Sequence, residues 1–239
     1  MSTFLWVILP YVTLTTFVVG HLWRYRYDKF GWTTRSSQMY ESRLLRLGSP
    51  LFHLGLLAVI AGHIGGILVP KWLTEAVWIS DGFYHFASVS LGTLAGLATV
   101  AGFAILVYRR ITVASVRRAT TKVDVVTYIL LGAVFLLGMW NTVGGNLIGG
   151  GYDYRETVSP WFRSLFLLSP LPELMATAPL SFQLHNIVAM LLFALWPFTR
   201  LVHVFSAPVG YLVRPYVVYR SREPRRGHTE PARGWDPVH

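Results

Sequence analysis

The chain contains no cysteine, which removes disulfides, iron–sulfur ligation and thiolate zinc sites together, so any redox centre must use nitrogen or oxygen ligands. Charge is scarce too. Only 13% of the 239 residues are charged, against about 25% in an ordinary soluble domain. Acidic residues are the rarer kind, 11 against 21 Lys and Arg. No connection is long enough to hold a folded basic domain, so the formal net charge of +10 is not read as a nucleic-acid surface. Apolar side chains, by contrast, make up 53% of the chain. They gather into runs that match a bilayer core of roughly 30 Å, which a helix of about 20 apolar residues can cross.

Five runs qualify: Phe4 to Leu22, Leu51 to Val69, Tyr84 to Val107, Val123 to Trp140 and Phe182 to Val204. The predicted fold class is all-α, a polytopic bundle of five transmembrane helices forming a single membrane domain over residues 1–239, with a basic tail over residues 207–239. The first run is too long and too little charged at its amino end for a signal peptide, and no small-residue cleavage pattern follows it, so it is expected to persist as a helix. Of the 21 Lys and Arg, 17 lie on one set of connections: residues 23–50, residues 108–122 and the tail. The opposite set holds Lys71, Arg155 and Arg163. By the positive-inside rule the amino terminus is expected outside and the carboxyl terminus in the cytoplasm.

Four histidines lie inside these apolar runs, His53 and His63 on the second and His185 and His203 on the fifth. Hydrocarbon offers an imidazole nothing to hydrogen-bond, so each needs a specific partner. Haem iron is the partner this pattern suggests, because two haems with two axial positions each take four imidazoles. Lone interhelical hydrogen bonding is the competing role. The second and fifth helices run in opposite directions, which pairs His53 with His203 and His63 with His185. The vertical fit is poor: ten residues rise about 15 Å and eighteen about 27 Å in an unbroken helix. Sloping ligand axes, or a kink at Pro197, would share out the difference. Gly55, Gly62, Gly65 and Gly66 flank the first two histidines, and Gly92 and Gly96 repeat the small-xxx-small spacing on the third helix. Close approach of a flat macrocycle and ordinary helix packing both explain them.

Four long stretches carry a family resemblance: RYRYDKFGWTTRSSQM, LFHLGLLAVIAGHIGG, RRITVASVRRATTKVD and WPFTRLVHVFSAPVGYLVRPY. Over nearly its full length the chain resembles the membrane cytochrome b (gamma) subunit of respiratory nitrate reductase. That resemblance implies a subunit of a prokaryotic cytoplasmic membrane with two b-type haems, serving anaerobic electron transport. It implies that electrons pass from membrane quinol to an iron–sulfur subunit and on to a molybdenum catalytic subunit that reduces nitrate on the cytoplasmic side. It assigns His63 and His185 to an outer, quinol-facing haem and His53 and His203 to an inner one. Arg109, Arg110 and Arg200, near the inner edge, are placed to meet propionates of the inner haem, with positive-inside anchoring as the other role. The resemblance also implies a quinol pocket beside the outer haem, around His63, Gly62 and Gly65. Family members carry a lysine early on the third helix. SDGFYHFASV has none here, and His85 stands nearest as quinol proton acceptor, or else as a solvated helix-start residue.

Outside the spans, Trp161, Phe162, Leu165, Phe166 and Leu168 follow helical spacing and predict a short amphipathic helix on the outer surface. SSQMYESRLLRL is expected as a cytoplasmic helix that docks the iron–sulfur partner together with the tail. Thr120 and Thr121 followed by Asp124 predict the capped start of the fourth helix. His21, His228 and His239 carry no expected function. Two alternatives stay open: the dihaem anchor of another quinone-linked complex (formate dehydrogenase, hydrogenase or heterodisulfide-reductase-like), and a haem-free membrane scaffold or transporter.

Overall fold

The computed structural model describes residues 2–28, 30–32, 37–206 and 213. The tail expected over residues 207–239, with His228 and His239, otherwise lies outside the described residues, as do Lys29 and Arg35. Five helices are long and apolar enough to cross a membrane: α1 (Phe4–Tyr27), α2 (Arg43–Leu68), α4 (Asp81–Thr112), α6 (Lys122–Asn146) and α9 (Leu180–Phe198). Short helices join them: α3 (Lys71–Ala76), α5 (Ala114–Arg118), α7 (Val158–Phe166) and α8 (Pro172–Ala176). No strand occurs among the described residues.

Neighbour follows neighbour in an arc: α2 packs on α4, α4 on α6, α6 on α9 and α9 on α1. The α2–α4 pair is the most intimate, because small residues let backbone meet backbone. A Cβ on Gly102 of α4 would stand 2.6 Å from Phe52 Cα, and one on Gly55 of α2 would stand 2.7 Å from the Thr99 nitrogen. Gly96 likewise admits the Met139 sulfur of α6. Away from these seams the helices are coated with exposed Val and Leu, such as Val18, Val19, Leu54, Leu91, Leu94 and Leu136, as lipid requires.

Helix starts follow local chemistry. Thr121 and Asp124 form the expected capping box at the start of α6, Thr121 Oγ1 accepting from the Asp124 N–H and Asp124 accepting from the Thr121 N–H. α2 begins at Arg43, eight residues before the expected Leu51, while Ser37–Ser42 turns instead of forming a helix. Glu41 accounts for that start: its carboxylate accepts the Leu44 N–H at 2.7 Å, serving one of the free donors of the first turn.

α7 departs from expectation. It is tucked in, with Trp161 and Leu165 buried in one cluster with Trp6, Met175 and Met190. Only the far end shows apolar surface, at Phe166 and Leu168. The reason lies in α2, whose last turn, Ile64–Leu68, is π-helical and ends with carbonyls in need of donors. Ser159 donates to the Gly66 carbonyl at 3.0 Å and Arg163 to that of Ile67 at 2.8 Å. Trp161 Nε1 donates to the Trp6 carbonyl at 2.9 Å, fixing α7 against the start of α1.

Candidate functional site

α2 and α9 are not close neighbours in the arc; they face each other across a space that their histidines enter. His53 and His63 ride one continuous helix. α9 is broken, which corrects the expected run to Val204. Pro197 has no N–H and crowds the preceding turn, so the α-helix stops at Leu195 and Trp196–Phe198 tightens to a 3₁₀ turn. Thr199 is extended (φ −112°, ψ −179°), and a second 3₁₀ turn, Arg200–Val204, carries His203. The chain turns at Thr199, so His203 is not carried as far from His185 as a straight helix would take it.

The rings meet in two pairs. His53 and His203 have centroids 6.1 Å apart with planes at 72°; His63 and His185 have centroids 6.2 Å apart with planes at 20°. Two metal–nitrogen bonds of about 2.0 Å each, plus the radius of each ring, put centroids about 6 Å apart when one ion sits between two imidazoles. The outer nitrogens are committed. Nδ1 of His53 donates to the Ser49 carbonyl at 2.7 Å, that of His63 to Val59 at 2.8 Å and that of His203 to Arg200 at 2.7 Å. A carbonyl only accepts, so each Nδ1 carries the proton and each Nε2 keeps its lone pair, the tautomer a metal ligand needs. His185 is the exception: its buried Nδ1 makes no hydrogen bond of good geometry, the Val134 backbone being the group beside the ring. Gly138 makes room for that ring: a Cβ there would stand 3.2 Å from His185 Cε1.

Among the described residues no three His, Asp or Glu side chains converge as a bare cation would need. The histidines come in twos, the number of axial positions on an iron whose other four are filled by a macrocycle. This donor set therefore fits haem and not a free metal ion.

The glycines near His63 divide by role. Gly55 packs on α4, and Gly66 lies under the Tyr154 hydroxyl, whereas a Cβ on Gly62 or Gly65 would meet nothing within 4 Å. Gly62 and Gly65, three residues apart, share one face of α2, and that face is open beside His63. His85 sits exposed in the first turns of α4. Its Cε1 lies 3.6 Å from where a Cβ on Gly151 would be, as does the Asn146 oxygen.

The three expected arginines are all engaged. Arg109 is buried and gives its guanidinium to Glu41 at 2.6 Å, Ser37 Oγ at 2.9 Å and the Ser37 and Glu41 carbonyls at 2.7 and 2.6 Å. It is a staple for the loop before α2. Arg200 Nε pairs with Asp124 at 2.9 Å, and Arg110 approaches the same carboxylate at 3.8 Å. Asp124 thus does more than cap a helix: it ties α4, α6 and the segment carrying His203 together. Its Thr-x-x-Asp spacing revealed the cap, but nothing local pointed to Arg200.

A second cluster escaped sequence reasoning, which counted its cations only for topology. Lys71 pairs with Asp81 and Glu156 at 3.1 Å each and with Asp153 at 3.6 Å. The hydrogen bonds to Glu156 and Asp81 raise its pKa above the ordinary lysine value. Arg155 lies 3.9 Å over the Tyr84 ring and donates to Thr74 at 2.6 Å. Tyr84 and Tyr154 share a hydrogen bond at 3.2 Å, and burial followed by that bond pushes the Tyr154 phenol upward. Tyr154 also stacks on Phe182, three residues before His185, so the cluster reaches both helices of the His63–His185 pair. The available signal was the run Tyr152–Glu156, dense in charge within an otherwise apolar half.

Comparison with known proteins agrees with this architecture. The profile of a family described as the nitrate reductase gamma subunit matches residues 2–222. The nitrate reductase gamma chain of Bacillus subtilis is 46% identical over 91% of this chain and 97% of its own length. The respiratory nitrate reductase 2 gamma chain of Escherichia coli is 34% identical over 93% of this chain and 98% of its own. The nitrate reductase-like protein NarX of Mycobacterium tuberculosis is 54% identical over 98% of this chain. This chain spans only 36% of that relative's length.

Proposed function

Since the chain belongs to the nitrate reductase gamma-subunit family, the membrane subunit of an oxidoreductase complex, we propose that it is the quinol-oxidising dihaem cytochrome b of a respiratory nitrate reductase. The observation that carries this reading is the two imidazole pairs facing across the α2–α9 space at 6.1 and 6.2 Å. His53 and His203 hold the inner haem b, and His63 and His185 the outer one. Bound haem supplies one-electron relay chemistry of its own. The protein supplies orientation: carbonyls of Ser49, Val59 and Arg200 fix three of the rings and raise their basicity as ligands.

Quinol is oxidised beside the outer pair, where Gly62 and Gly65 leave space for a ring next to His63, and His85 receives a proton at the exposed start of α4. Each quinol yields a quinone, two protons released outside and two electrons. Each electron moved inward across the membrane is worth about 2.3 kcal/mol per 100 mV of potential. Arg200, one turn from His203, holds Asp124 and neighbours the inner haem edge. The partners are an iron–sulfur subunit and a molybdenum subunit docked on the basic, cytoplasmic face.

Pyridine-haemochrome quantification of the purified wild type beside His63→Ala and His203→Ala tests this. The expected result is two haems in the wild type and one in each variant. Unchanged haem content in the variants, or none in the wild type, overturns it.

A further inference from the structure

A straight α9 would misplace its second histidine. His185 and His203 are eighteen residues apart and His63 and His53 only ten, yet both ring pairs close to nearly the same distance. The break at Pro197 and Thr199 reconciles the two helices, so whatever holds that break in shape also sets His203 against His53. The Trp196 carbonyl accepts from the Thr199 N–H at 3.0 Å and its hydroxyl at 2.8 Å. The Leu201 N–H, which would serve Pro197 in an unbroken helix, donates instead to Thr199 Oγ1 at 3.1 Å. That leaves the carbonyl of the buried Pro197 without a backbone donor.

Arg24, near the end of α1, supplies the missing donor. Its NH1 donates to the Pro197 carbonyl at 2.6 Å and reaches the Thr199 carbonyl at 3.5 Å. Its own geometry is fixed by Asp28 at 3.2 Å and by the Gly31 carbonyl at 2.8 Å. One turn before it, Gly20 lets α1 close on the break: a Cβ there would stand 2.9 Å from the Pro197 ring. Past the turn, Phe205 folds back onto Phe17 and His21, with centroids 5.9 and 4.8 Å away.

We propose that Arg24 is a positioning residue for the inner haem: by hydrogen-bonding the carbonyls opened at the α9 break, it sets the direction of the segment that presents His203 to His53. Neither residue of the outer pair depends on it: His185 precedes the break on α9, and His63 rides the unbroken α2. This rests on the function proposed above.

The test is electron paramagnetic resonance and haem quantification on membranes holding the full chain with its complex, comparing wild type, Arg24→Gln and Arg24→Lys. His53→Ala and His63→Ala assign the two low-spin signals, which the 72° and 20° ring angles should keep distinct. In Arg24→Gln the signal that His53→Ala abolishes should shift or vanish while the other stays in place, and Arg24→Lys should lie between Gln and wild type. Two unchanged signals overturn the inference, as does equal loss of both. Should Arg24→Gln not accumulate in the membrane, Arg24→Lys is read by the same criteria. Wild-type membranes without a b-type spectrum remove the proposed function itself; two haems indifferent to Arg24 remove only this inference.

Discussion

A glycine in these helices means different things depending on what stands opposite it. Gly102 is a contact: its missing Cβ is where the Phe52 backbone of α2 lies. Gly62 faces open space, so a methyl group there displaces nothing in the protein. Gly102→Ala therefore overpacks the α2–α4 seam and should cost about 1–3 kcal/mol, read as a lower midpoint of thermal unfolding in detergent. Gly62→Ala should leave that midpoint where it was and instead raise the KM for quinol, because the space it fills is the one assigned to the ring beside His63. Equal destabilisation by both would mean that Gly62 is a packing residue after all. Sequence alone did not separate these two roles, since both glycines sit in apolar runs and differ only in which helix lies across from them.

Among the elements, the loop before α2 shows how one buried cation organises a connection. Arg109 gathers Ser37 and Glu41 under the end of α4, and Glu41 in turn caps α2 through Leu44. Burial tends to raise the Glu41 carboxyl, but the Leu44 N–H and Arg109 outweigh it and hold the pKa below the ordinary 4.5. A carboxyl depressed in the folded state stabilises in full above pH 4.5 and loses that contribution as pH falls through its lowered value. Limited proteolysis should accordingly find residues 37–42 resistant at neutral pH and increasingly cleaved on acidification; Arg109→Ala should expose them at neutral pH already. A loop equally resistant in that variant would show that other contacts hold it. Apolar run length made the five spans legible, and Thr121 with Asp124 made the start of α6 legible, because those signals are local. The early start of α2, the burial of α7 and the turn at Thr199 were not, because each depends on a partner far along the chain: Arg109 for Glu41, Gly66 for Ser159, Arg24 for Pro197. The histidine pairing was anticipated from helix direction and a kink from Pro197, whereas the extended Thr199 and the second 3₁₀ turn that carries His203 were not.

At the scale of the whole molecule, between 11% and 22% of each span is buried within the chain itself, so most of the surface of this bundle must be met by lipid or by other subunits of the complex. Under the function proposed above, orientation is the decisive global property: electrons drawn from quinol can reach cytoplasmic partners, and their protons be left behind, only if the His63–His185 pair faces outward. Basic residues argue for it where α4 passes into α6, with Arg109 and Arg110 in the last turn of α4, Arg117 and Arg118 between the helices and Lys122 opening α6, whereas the connection between α6 and α9 carries Arg155 and Arg163. The absence of cysteine provides the test, since any introduced thiol is the sole label site in the chain. Ser115 and Ser169 are both exposed, on opposite sides of the bundle. In intact cells a membrane-impermeant maleimide should label Ser169→Cys at once and Ser115→Cys only after permeabilisation. The reverse pattern would put the His63–His185 pair on the cytoplasmic side, where the proposed quinol oxidation releases its protons into the compartment that nitrate reduction consumes them from and no charge separation results.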